Sequence, residues 1–287
     1  MASAATLAFL CLLASGLLDL VFKYYANRQR SRGMLIFGIG CVWAILQLTY
    51  IGYTEAVLQF NQPTLIYGVL AAIFVTTSNI LLLECLGQLP ISSGSTIYRL
   101  NTIPLVIIAF FFLDENIGLI KGFGIGAGLL TVILLYQPDE KSINPGNKTT
   151  LFLILIILAS CIRALYGAVT KAGISNNGDA NTMMLFAAIG WCLGGLLYAH
   201  FREHRVVLTA DKLKYIPIAG ILVFAIVWLL TTALTLGDAS VVIPLANMGF
   251  VAAFLFSIIL KLEQITTRKL VAIFTAVISI VLLSYAA

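Results

Sequence analysis

Apolar runs of roughly twenty residues alternate with short polar breaks along the whole chain. Ten runs can be delimited, at about 4–24, 34–53, 64–87, 91–113, 117–136, 150–171, 180–200, 215–236, 240–260 and 267–286. A helix needs ~20 mainly apolar residues to cross a hydrocarbon core of ~30 Å, so each run predicts a transmembrane helix. The breaks carry loop chemistry: NRQRSRG after the first run, FNQP after the second and QPDEKSINPGNK after the fifth. Pro63, Pro90, Pro138 and Pro145 fall at or outside helix ends, where proline is tolerated. Pro104 and Pro244 fall inside runs four and nine, where a membrane helix either kinks or absorbs them through neighbouring groups. The longest loops, around 137–149 and 201–214, are too short for a soluble catalytic or regulatory domain. The expected fold class is an all-α integral membrane protein with ten transmembrane helices.

Composition agrees. Of 287 residues, 61% are hydrophobic and 10% charged, and the mean hydropathy is +1.03. Soluble domains run near 45–50% apolar and about 25% charged, and disorder needs the opposite bias. Both classes are excluded. The net charge of +5 does not point to nucleic acid, because the basic residues lie in short loops between the runs. The start of the chain, MASAATLAFLCLLASG, has no basic n-region and reads as a first membrane helix, not a cleaved signal. All five cysteines (Cys11, Cys41, Cys85, Cys161, Cys192) sit in apolar runs, where thiols serve as packing residues. No disulfide framework, metal or cofactor is expected. The expected partners are a small-molecule solute and the bilayer, with the chain as a monomer or homodimer.

Shifted by 148 residues, the chain matches itself without a gap. Lys23 meets Lys171, Trp43 meets Trp191, Tyr50 meets Tyr198 and Ser92 meets Ser240. Glu115-Asn116-Ile117 meets Glu263-Gln264-Ile265. Two of only three tryptophans pair at the same offset as the lysines and glutamates. The reading is two five-helix repeats, 1–138 and 149–287. An odd helix number sends the second copy through the membrane from the other side, an inverted repeat. Charge supports this. Loop 1–2 holds Lys23, Arg28, Arg30 and Arg32, whereas its mate, loop 6–7, has only Lys171. Loop 2–3 has no basic residue, whereas loop 7–8 has Arg202, Arg205, Lys212 and Lys214. In total the odd loops carry thirteen basic residues and the even loops two. The positive-inside rule then places the odd loops in the cytoplasm and both termini outside. The cell membrane is the expected location.

Each half ends in a small-residue stretch, a helix, a glutamate at a short turn and a last helix. The first reads ISSGSTIYRLNTIPLVIIAFFFLDENIGLIKGFGIGAGLLTVILL, and the second reads GDASVVIPLANMGFVAAFLFSIILKLEQITTRKLVAIFTAVISIVLLS. In these motifs, and in Lys23 and Lys171 near the end of each half's first helix, the chain resembles the EamA-like members of the drug/metabolite transporter superfamily. The resemblance covers nearly the whole chain. It implies a ten-helix transporter for small organic metabolites and leaves the solute open, because the family spans amino acids, sugars, nucleotide sugars, choline-like compounds and drugs. Two features depart from the family. The second half lacks the glycine-rich last helix, and such members usually keep both termini in the cytoplasm.

Ionisable residues inside a membrane are costly, and by default they mark function. Arg99 lies eight residues into run four, and Arg163 lies eight residues before the end of run six. At 1.5 Å per residue each is ~12 Å deep, near the level where inverted-repeat transporters bind substrate. Alternatively, Arg99 pairs with Glu84 at the end of run three. Asp19 is either a coupling carboxylate or an i,i+4 partner of Lys23; Glu84 is a second coupling candidate. Tyr98, Asn101, Tyr166 and Asn247 are polar residues in mid-run, as are Asn79 and Trp228. Tyr98 and Asn101 would share a helical face, and Asn247 is the repeat mate of Arg99. Glu115 and Glu263 suit the N-termini of the last helices.

Other motifs read blandly. His200 and His204 have ligand spacing but no HExxH glutamate. GFGIGAG at 122–128 follows no strand and suits helix packing. Asn147-Lys148-Thr149 has sequon spacing. No clustered nucleophile, base or metal set supports an enzyme. The expected function is secondary transport by alternating access around a central cavity. The solute would carry an anionic group, as in an amino acid, organic acid or phosphorylated metabolite. The alternative is a membrane scaffold or accessory subunit without a transport path.

Overall fold

In lipid every backbone N–H and C=O must be satisfied inside the segment that carries it, which favours helices. The computed structural model describes residues 3–26, 31–86, 97–135, 147–204, 206, 210–259 and 266–286, and among these regular structure is entirely helical. The first half contains α1 (Ala4–Ala26), α2 (Arg32–Tyr53), α3 (Gln62–Leu86), α4 (Thr102–Phe112) and α5 (Leu119–Leu135). The second contains α6 (Asn147–Ser175), α7 (Ala180–Phe201), α8 (Ala210–Leu236), α9 (Ala239–Asn247), α10 (Gly249–Ile259) and α11 (Thr267–Ala286). Six helices are long and apolar enough to cross a membrane: α1, α2, α3, α6, α7 and α8.

The N-terminal caps repeat at the 148-residue offset. Ser31 accepts from the Met34 N–H at 3.2 Å, and Asp179 accepts from the Thr182 N–H at 2.8 Å. Each side-chain oxygen satisfies a donor that has no partner within the helix.

Runs four and nine were expected to be continuous helices. The structure interrupts both. Helical residues 97–99 are followed by a turn at Leu100 and Asn101 before α4 begins. Here the backbone tightens to i→i+3 bonds: Leu100 N–H to the Ile97 carbonyl at 3.1 Å, and Ile103 N–H to the Leu100 carbonyl at 2.9 Å. Pro104 has no N–H to offer residue 100, so the ladder cannot run straight through. In run nine, α9 ends at Asn247 and α10 starts at Gly249. Met248 N–H reaches the Leu245 carbonyl at 3.2 Å, and Val251 N–H reaches the Met248 carbonyl at 2.9 Å. Leu100 and Met248 are 148 residues apart, so the break itself is repeated. Tightened turns inside a helix mark hinges.

Helix contacts come in exchanged pairs. α1 packs on α8, and α6 packs on α3. α2 packs on α8, and α7 packs on α3. α2 meets its own mate α7, and α5 meets its own mate α11. This is the contact pattern of a two-fold arrangement. At the α2–α7 crossing Trp43 and Trp191 touch edge to face, with ring centroids 6.0 Å apart. Small residues permit this approach. A Cβ on Gly195 would lie 2.4 Å from the Phe37 nitrogen, and one on Gly40 would lie 2.6 Å from the Cys192 nitrogen. The Cys41 and Cys192 sulfurs stand 3.7 Å apart in the same crossing. In the α5–α11 pair Ser279 Oγ donates to the Gly124 carbonyl at 2.7 Å. The glycine stretch at 122–128 therefore packs one helix against another.

Polar contacts gather the ends of the helices. Loops 2–3 and 6–7 are joined by Asn61 Nδ2 donating to the Asn177 carbonyl at 2.9 Å, and by the Asp179 N–H donating to Thr64 Oγ1 at 2.8 Å. At the other end of α2 and α7, Glu203 accepts from the Arg32 N–H at 2.7 Å and from the Ser31 hydroxyl. Glu84 there meets Arg32 Nη1 at 2.5 Å and Arg202 Nε at 3.2 Å.

Candidate functional site

The half-helix α9 is packed against α1, α4, α5, α6, α8 and α11, and every residue from Ala239 to Ala246 is buried. Its sequence, ASVVIPLAN, is small and apolar on all sides, which suits a helix enclosed by others rather than one with a lipid face. Residues of the first half hold both of its ends. At the N-terminus the buried Glu115 carboxylate accepts from the Ala239 N–H at 2.7 Å and from the Ser240 N–H at 2.8 Å. At the C-terminus Arg99 Nη1 donates to the Asn247 carbonyl at 2.9 Å. An anion at the N-terminus and a cation at the C-terminus both complement the helix dipole.

Arg99 also forms an ion pair with Asp19 of α1, through Nη2. Asn247 Nδ2 donates to Asn101 Oδ1 at 2.6 Å, and at 3.4 Å it approaches Thr102 Oγ1. Thus Asp19, Arg99, Asn101 and Asn247 form one polar cluster that joins α1 to the two helix breaks. Arg99 and Asn247 are repeat mates, so this cluster sits where the halves meet.

Arg163 projects from α6. Its guanidinium carbon lies 4.9 Å from the centre of the Tyr166 ring, a cation–π contact. Among the described residues it has no ion-pair partner. Arg163 and Tyr166 line a cavity of about 30 Å³ together with Cys11, Ser15, Ile226 and Asn247. A second cavity of about 20 Å³ is lined by Arg99, Thr102, Pro244, Asn247 and Ser279. Asn247 belongs to both and separates them. Each has room for one or two waters. An organic solute enters only if these walls move, and both walls include a broken helix.

Six expected site residues fall on these cavities or the cluster beside them: Arg99, Arg163, Asn101, Tyr166, Asn247 and Asp19. Two do not. Tyr98 places its hydroxyl 3.4 Å from Ser78 Oγ and packs beside Cys85, Ile156 and Ala159. The Asn101 N–H still reaches the Tyr98 carbonyl at 3.3 Å, but the two side chains meet different partners, Tyr98 with Ser78 and Asn101 with Asn247. Glu84 does not meet Arg99. α3 runs on to Leu86, which leaves Glu84 in its last turn among the interfacial arginines. The expected Asp19–Lys23 pair is not tested, because the Lys23 side chain lies outside the described residues. Asp19 instead meets Arg99. Glu115 does sit at a helix N-terminus, but that helix is α9 and not its own α5.

Asn79 Nδ2 returns to the Val75 carbonyl at 2.7 Å, and Trp228 stacks edge to face on Tyr50; both act within helix packing. α7 ends at Phe201 and His204 has a φ of 48°, so His200 and His204 do not share a helical face. Among the described residues no group of three or more His, Cys, Asp or Glu could hold a metal ion. Glu263 lies outside the described residues, as do the side chains of Asn147, Lys148 and Thr149. Sequence reasoning missed Cys11, Ser15 and Thr102. Ser15 carries one signal that could have found it: it is the repeat mate of Arg163.

Residues 150–285 match the EamA-like transporter family. No curated protein matches the chain in sequence. A protein of known crystal structure shares the fold over 99% of this chain and 97% of its own, with a TM-score of 0.83 at 14% identity. At that identity the likeness is one of fold.

Proposed function

We propose that this chain, which over residues 150–285 belongs to the EamA-like transporter family of the drug/metabolite superfamily, is a secondary transporter for a small organic solute bearing an anionic group. The observation that carries the reading is Arg163. Its guanidinium lines a cavity between α1, α6, α8 and α9 and has no carboxylate partner among the described residues. A guanidinium at membrane depth requires compensation, and its fork matches a carboxylate or phosphate bidentately. Tyr166, Asn101 and Asn247 would supply neutral contacts. Transport would proceed by alternating access. Halves 1–138 and 149–287, as inverted repeats, would rock about the central site. The exchanged helix contacts and the duplicated break support this motion. The basic-residue bias supports odd loops in the cytoplasm of a plasma-membrane protein.

Cys11 lines the same cavity and provides a test that needs no known solute. The other four cysteines are replaced by alanine, and Cys11 is exposed to methanethiosulfonate reagents. A sulfonate-bearing reagent should modify Cys11 faster than a trimethylammonium-bearing one, and Arg163→Gln should erase the difference. Faster reaction with the cationic reagent, or a preference that survives Arg163→Gln, rejects the anion site.

A further inference from the structure

We propose that Asp19 is a built-in counter-anion that the solute displaces from Arg99, so that one proton accompanies each anion. This rests on the anion-transport reading above. The Asp19–Arg99 pair lies one helical turn from the Arg163 cavity, because Ser15 lines that cavity and Asp19 follows it at i+4. The two cavities are divided by Asn247, whose carbonyl anchors Arg99. Neither cavity holds more than a water or two. Admitting a solute therefore means moving Asn247, and once it moves the two cavities become one. The solute's anionic group then faces both Arg163 and Arg99, and it competes with Asp19 for the Arg99 fork. Asp19 is the more accessible partner: its side chain keeps 37% of its surface exposed, against 17% for Arg99.

A carboxylate that loses its cation at membrane depth is unfavourable as an ion. Among the described side chains Arg99 is the one cation within ion-pair distance of Asp19, and the Lys23 side chain, at i+4, lies outside them. The helices packed on α1 are α8, α9 and α10. α9 and α10 carry no titratable side chain. Those on α8 are Asp211, Lys212, Lys214 and Tyr215, all within its first six residues, level with Tyr25, whose ring meets that of Tyr215 at 5.7 Å. On α1 itself stand Cys11, Lys23, Tyr24 and Tyr25. Arg163 faces the shared cavity from α6 and is engaged by the solute. Asp19 therefore takes a proton from water on the side the solute enters. The balance is anion plus proton plus Arg99–Asp19 pair, giving an Arg99–anion pair plus neutral Asp19. One O–H bond forms on Asp19, and the site's charge is unchanged.

The test uses purified protein in proteoliposomes with a trapped pH dye and membrane potential clamped to zero. The probes are radiolabelled L-glutamate, glycolate and isethionate, monoanions across about pH 5.5 to 7.5. A probe that enters in an Arg163-dependent way should acidify the lumen by about one proton per anion. Its uptake at limiting concentration should rise about tenfold per unit of acidification wherever Asp19 is ionised in the empty site. Asp19→Asn keeps the shape but cannot take the proton. It should carry the probe with no acidification and a flat pH profile, while Asp19→Glu should retain the coupling. If the parent moves the probe without acidification, or Asp19→Asn still acidifies the lumen, the displacement idea falls and the anion site stands. If no probe moves, or Arg163→Gln transports like the parent, the anion reading fails and this proposal fails with it.

Discussion

Glu115 clamps the N-terminus of α9 from the opposite half of the chain, and neutralising it isolates the strength of that clamp. The carboxylate is 7% exposed and accepts two backbone hydrogen bonds, at 2.7 and 2.8 Å. A hydrogen bond to a charged group contributes about 1.5–3 kcal/mol. Glutamine keeps one oxygen acceptor, weakens that bond to a neutral one, and turns an amino group toward the second N–H. The expected loss is about 2–3 kcal/mol. Alanine strands both N–H groups in a buried site, an expected loss of about 3–5 kcal/mol. For a chain of this size each kcal/mol lowers the melting temperature by about 2–4 °C. Glu115→Gln should thus melt about 5–10 °C below the parent, and Glu115→Ala lower still. A thiol-reactive fluorophore in detergent reads the transition through Cys85, which is 0% exposed, as a rise above the native signal of the exposed Cys161. Melting of Glu115→Gln within a degree of the parent would refute the reasoning.

Four further predictions concern packing, cross-linking, recognition and sidedness. Gly195→Ala should lose about 1–3 kcal/mol, because its Cβ meets the Phe37 backbone, whereas Gly126→Ala, with nothing within 4 Å, should melt with the parent; equal melting of the two defeats the close-approach argument. An apolar oxidant should join Cys41 to Cys192 across the 3.7 Å gap between their sulfurs; with a protease site inserted in 137–146, the cut halves should stay together on a non-reducing gel and separate on reduction. Arg163→Lys keeps the charge but loses the fork, so vesicle uptake of the anion should fall about tenfold at normal expression; uptake at the parent's rate counts against bidentate binding. In intact cells an impermeant thiol reagent should label Asn176→Cys and spare His204→Cys, and the reverse pattern would invert the orientation.

The helices were legible because lipid enforces an apolar stretch of fixed length, and nine of the ten runs begin within five residues of the observed helices. The breaks in runs four and nine were not legible. Both sit inside runs long enough to be read as one helix, and Pro104 and Pro244 are not repeat mates, so the proline positions hid the symmetry of the turns. Burial depth singled out Arg99 and Arg163, which each line a cavity, but their partners could not be read from depth. Glu84 and Arg99 are close in sequence and far apart in height, since α3 carries Glu84 to the interface. Asp19 is eighty residues from Arg99 and reaches it only because α1 crosses the broken run. Glu115 shows the same limit. Its chemistry, an acid at a helix N-terminus, was readable, but the helix it serves lies in the other half.

The contact between Arg99 and Asn247 bears on how a two-fold arrangement can carry charge. A residue on a two-fold axis meets its own copy, as Trp43 and Trp191 still do. In a dimer of two identical five-helix units, Arg99 would face a second arginine across the axis, and the repulsion would recur in every molecule. A tryptophan tolerates meeting itself, but a cation does not. Fusing the units into one chain lets the two sides of the axis diverge, so that one keeps the arginine and the other becomes an amide. An asymmetric charge at such an axis needs two sequences that differ there, as residues 99 and 247 of this chain do, and Asn247→Arg would set two arginines against each other.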